Sequence, residues 1–122
     1  MIHEEICTYE VAKLAKENGF DVPTHYAYNE NCQKAMYMEL CLNRNTKDSR
    51  SISAPTQSLL QRWLREERNI DIAIIPLYTG GYSNIVYNIH CRDNRVVNTN
   101  AGYATYELAL EDALKYALEN LV

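Results

Sequence analysis

The most reactive side chains in this 122-residue sequence are four cysteines, Cys7, Cys32, Cys41 and Cys91, and three histidines, of which His90 adjoins Cys91 and His3 lies one helical turn before Cys7. These residue types hold zinc, or pair a thiolate nucleophile with a base. Zinc sites in small domains announce themselves with closely spaced Cys or His pairs, and no such pair is present. His3 and Cys7 have half-site spacing, but Thr8 as a helix N-cap places both before the helix. No local signature supplies an oxyanion hole or an activating base. Gly80-Gly81 lacks the Lys-Ser/Thr that completes a phosphate loop, so it reads as a turn. The acidic pairs Glu4-Glu5, Glu66-Glu67 and Glu111-Asp112 fall on helix surfaces or ends, where solvated charge is the ordinary state. We therefore expect no catalytic residue, no metal and no cofactor.

Recognition chemistry is concentrated in "SAPTQSLLQRWLREERN", Ser53 to Asn69, which holds the single Trp. At 100° per residue, Leu59, Leu60, Trp63 and Leu64 share one arc, while Ser58, Gln61, Arg62, Arg65 and Arg68 take the opposite side. The apolar arc reads as core. Gln61, Arg62, Arg65 and Arg68 are the candidate binding residues, because Arg and Gln make several directional hydrogen bonds while staying solvated. The segment from Arg44 to Arg68 has six bases against three acids, and Thr105 to Val122 has four acids against one base. The acidic last helix of a second copy thus offers a complementary surface, and local pairing such as Arg62 with Glu66 is the plainer use of the same charges.

The elements that must position these residues follow from local signals. Thr8 caps a helix over about Tyr9 to Asn18, which Gly19 stops and Phe20 folds back upon. "THYAYNE" and "KAMYMELCLN" read as strands, the second with both faces partly covered. The polar "NRNTKDSRS" is a surface loop. Ser53 is placed to cap the next helix, with Pro55 in its first turn and an end near Glu67. "NIDIAIIPLY" is a strand that Pro76 takes to an edge or out of the sheet, and "TGG" turns it into "YSNIVYNIHC". There Ile85, Tyr87 and Ile89 alternate with Asn84, Val86 and Asn88, predicting an apolar face and a wet one. "RDNR" turns into a short "VVNT" strand, and Thr105 opens a last helix whose regularly spaced apolar positions are Tyr106, Ala109, Leu110, Ala113, Leu114, Ala117 and Leu118.

Strand candidates in adjacent pairs predict an α+β fold, with 1–122 as a single domain. We expect one antiparallel or mixed sheet of four to five strands and three helices mainly on one face. The 47% hydrophobic and 23% charged fractions belong to an ordinary folded chain, and the bias to 10 Tyr over a single Phe suits half-exposed sheets and interfaces. Acids stand where a secretory signal has bases, and no apolar run has the length of a membrane span. A cytoplasmic chain with reduced cysteines and no membrane contact is expected. The net charge of −4 disfavours phosphate backbones overall.

The segments "ISAPTQSLLQRWLRE", "YATYELALEDALKYAL" and "TYEVAKLAKENGFDVPTHYAY" resemble a set of small uncharacterised proteins from phage and mobile-element regions of bacterial genomes. The resemblance spans nearly the whole chain, is strongest from Ala54 to Glu66, and implies a genomic setting and a compact fold without supplying site residues. The expectation is a non-enzymatic accessory or protein-interaction protein that self-associates as a homo-oligomer, with other protein partners open to it. The alternative is a nucleic-acid binder that uses the arginine face with nearby tyrosines as stacking platforms.

Overall fold

Two Thr-Tyr-Glu segments start helices in the same way. Thr8 Oγ1 accepts from the Val11 N–H at 3.3 Å and Thr105 Oγ1 from that of Leu108 at 3.1 Å, each satisfying a first-turn amide that has no helical partner. The helices they cap are α1 (Tyr9–Glu17) and α3 (Tyr106–Asn120). In the computed structural model, which describes residues 4–29, 32–46, 50–89 and 95–121, the chain divides into two units, 1–56 and 57–122. The class is α+β.

In the first unit, α1 ends at Gly19, whose φ of 89° is easy only for glycine. The Phe20 N–H then reaches the Ala15 carbonyl at 2.9 Å, and its ring is buried. Strands β1 (Thr24–Asn29), β2 (Cys32–Leu42) and β3 (Ser51–Ser53) form an antiparallel sheet in the order β2-β1-β3. Its core joins Ala12 of α1 to Tyr28, Ile52 and Ala54. The Tyr28 hydroxyl enters that core by donating to the Cys7 carbonyl at 2.6 Å. Ser53 belongs to β3 and not to the next helix: its hydroxyl accepts from the Arg44 N–H at 2.8 Å, and its N–H donates to Asn45 Oδ1 at 2.9 Å. Pairing with β1 outcompetes the capping role expected for it.

The second unit has α2 (Gln57–Arg68), β4 (Ile70–Pro76), β5 (Tyr82–Asn88), β6 (Arg95–Tyr103) and α3. Asn69, at a φ of 57°, reverses the chain between α2 and β4, a conformation Asn tolerates better than most residues. The strands pair antiparallel in the order β4-β5-β6. The edge position of β4 accommodates Pro76, its last residue. Gly80 and Gly81 form the hairpin turn with positive φ, and a Cβ on Gly81 would stand 2.8 Å from the Tyr103 carbonyl oxygen. α3 packs on β4 and β5, and α2 packs on β4 and α3.

The single sheet of four to five strands is therefore replaced by two three-stranded sheets, and the helices are shared between them. β6 is longer than the "VVNT" expected. β2 is covered only in part: Ala35 is half-buried against the core of this unit, while most of the strand is exposed, Leu40 to 67%. The largest reversal is in β5. Asn84 and Val86, 1% and 0% exposed, point under α3, whereas Ile85 and Tyr87 are half-exposed on the outer side. The turn expected over 92–95 and residues His3, His90 and Cys91 lie outside the described residues, Arg95 excepted.

Candidate interaction surface

α2 carries the four candidate residues, and its apolar side does what its spacing implies. Leu60, Trp63 and Leu64 are buried, and Leu59 is half-buried. Gln57 anchors the helix start by donating to the Glu107 carbonyl at 2.9 Å and to Glu111 Oε2 at 2.8 Å. Each candidate then proves to have a partner inside the same unit. Gln61 Nε2 donates to the Ile72 carbonyl at 2.9 Å, supplying a donor on the side of the edge strand β4 that faces no other strand. Arg62 pairs with Glu66 at 3.0 Å, both well exposed, a contact worth little in water. Arg65 faces Asp71 at 3.9 Å. The Arg68 guanidinium lies 4.8 Å from the centre of the Trp63 ring, covering that ring by a cation–π contact.

Sequence reasoning missed a polar cluster between β5, β6 and α3. Asn84 Nδ2 donates to the Ala109 carbonyl at 2.9 Å, while its buried Oδ1 has no partner among the described residues. The Tyr103 hydroxyl donates to Asp112. Burial, then the Asp112 carboxylate accepting that hydrogen bond, raises the Tyr103 phenol above its usual value. At neutral pH this group is a neutral donor that ties β6 to α3. The alanine stripe of α3 was the one available signal, since small residues let a polar side chain approach the helix backbone.

Uncovered apolar side chains form two surfaces. In the first unit, Met36, Tyr37, Met38, Leu40 and Leu42 are exposed along β2. Residues 38–41 bulge out opposite His25, because the register steps from Thr24↔Leu42 to Tyr26↔Tyr37. Arg44 holds that arch by donating to the carbonyls of Thr24 and Leu40, each at 3.0 Å, and of Leu42 at 3.5 Å. In the second unit, residues directly opposed across the ladders share a face, which places Ala73, Ile85 and Thr99 in one row of the side of the sheet away from α3. Ile75 and Val96 are exposed on that same side.

A cavity of about 620 Å³ opens beside the start of α1, lined by Thr8, Tyr9, Glu10, Lys13, Tyr28 and Gln33. Its aromatic walls are Tyr9 and Tyr28, in edge contact at 5.5 Å. It holds no thiol or imidazole, and the Tyr28 hydroxyl is already committed to Cys7. Among the described residues no group of three His, Cys, Asp or Glu is placed to share a metal, and no helix is long and apolar enough to cross a membrane. No protein-family model, curated protein or solved structure matches the chain.

Proposed function

We propose that this chain is a non-enzymatic accessory protein that works by protein–protein contact and self-associates, in the cytoplasmic setting of a phage or mobile element. The observation that carries this reading is the amount of large apolar side chain left uncovered on both sheets, Met36, Tyr37 and Leu40 in one unit and Ile75 and Val96 in the other. Large apolar side chains left exposed together on sheet surfaces favour an interaction role. Local use of Gln61, Arg62, Arg65 and Arg68 shifts weight from the arginine face toward these apolar surfaces. The genomic setting rests on the resemblance of the helix-opening and Ala54 to Glu66 segments.

Light scattering across a wide range of protein concentration tests the reading, and a second species that grows with concentration is the expected result. A monomer at every concentration, together with salt-dependent binding of random oligonucleotides, would overturn it in favour of a nucleic-acid binder.

A further inference from the structure

We infer that the side of the β4-β5-β6 sheet away from α3 is the self-association interface, and that its occupant is the same face of a second copy. This inference rests on the self-association reading above and assigns it a surface. The cross-strand pairs Ile75↔Ser83, Ala73↔Ile85 and Tyr87↔Val96 arrange large and small side chains unevenly. Ile75, Ile85, Tyr87 and Val96 form a raised diagonal across the sheet. Ala73 lies in the groove on one side of it, and Ser83 and Ala101 lie in the groove on the other.

A ridge flanked by grooves on both sides can match itself: a two-fold rotation lays the ridge of one copy along the groove of the other, as in aligned sheet packing. The result is a four-layer dimer with the sheets inside and the α3 helices outside. Charge points to the same occupant. Asp71 is the one ionisable side chain on this side of the sheet among the described residues other than tyrosine, it sits at a corner, and Arg65 faces it at 3.9 Å. Two copies can therefore approach despite the net charge of −4, and a charged partner finds nothing there to select it. Area is sufficient but not generous. Ordinary strand spacing and rise make the face about 14 by 23 Å, and once side-chain relief is counted two such faces bury roughly 1,000 Å², near the lower bound for a specific dimer. A reversible dimer with a measurable dissociation constant is the consequence.

The test compares the oligomeric state of the full chain with that of Ile85→Lys, Val96→Lys and Arg62→Glu, with a thermal melt for each. Val96 is 50% exposed in the single chain, so Val96→Lys gives an answer even if Ile85→Lys fails to fold. The expected result is a parent dimer whose dissociation constant rises about tenfold or more when either lysine is introduced, because a charge is then buried without a partner. Arg62→Glu, whose parent side chain pairs with Glu66 on α2, should dimerise like the parent. A parent dimer that Val96→Lys leaves intact overturns the sheet-face assignment while leaving self-association standing. A parent monomer at all concentrations removes both.

Discussion

Tyr103 shows how a single side chain joins two elements and leaves a pH signature. Its hydroxyl donates to Asp112, and burial is the main cause of its raised value. The unfolded chain ionises this phenol near 10.0, whereas the folded chain holds the proton to higher pH. The neutral phenol is favoured in the folded state, so its stabilising effect is complete below about 10 and is lost as pH rises through the folded value. Tyr103→Phe should lower the melting temperature at neutral pH, and the gap from the parent should shrink in melts above pH 10. A gap that stays constant across that range would remove the hydrogen bond as its cause. Arg44 is the other residue whose role emerges here, since no local pattern marks a loop arginine as the donor to two carbonyls of the bulged β2 and one of its partner β1.

At the scale of elements, α2 is a helix whose two sides have separable energetics. Trp63 is 5% exposed and sits between Leu60 and Leu64 in the buried stripe, with Arg68 over its ring. Trp63→Ala should cost about 3 to 5 kcal/mol in chemical denaturation, the range for a large buried aromatic. Loss under about 1 kcal/mol would place the indole at the surface and make it a binding anchor. Removing Arg62 from the same helix should change stability by a few tenths of a kcal/mol at most, because its pair with Glu66 is exposed. Spacing alone revealed this division, since the 3.6-residue period reports which side faces inward whatever the helix packs against. The start of α2 was not legible in the same way: Ser53 has the chemistry of a cap, but β1 recruits its backbone first.

At the scale of the whole molecule, the chain packs in two units, each with its own sheet. Among the described residues, the Cys7 side chain is buried and that of Cys41 is exposed, neither in a disulfide. The thermal melt should therefore be unchanged by a metal chelator and by a thiol reductant, and collapse of the cooperative transition with either reagent would show that a metal or disulfide holds the fold.

The amino-acid sequence by itself determined the features whose cause lies within a few residues. These are the threonine caps of α1 and α3, the Gly19 stop with Phe20 folded back, the glycine turn before β5, the edge position signalled by Pro76, and the buried stripes of α2 and α3. Only the tertiary structure decided how the strands divide into two sheets and which side of β5 turns inward. Apolar content favoured Ile85 and Tyr87 for the interior. Once Ile70 and Ile72 of β4 are buried, however, the hairpin register pairs Ile72 with Val86 and Ile74 with Asn84, and opposed residues must share a face. A slip of one residue would exchange the two sides of the strand, so the turn and its partner strand outweigh the composition of β5. Asn84 is carried under α3, where its Nδ2 donates to the Ala109 carbonyl, and Ile85 and Tyr87 are left on the outer side of the sheet.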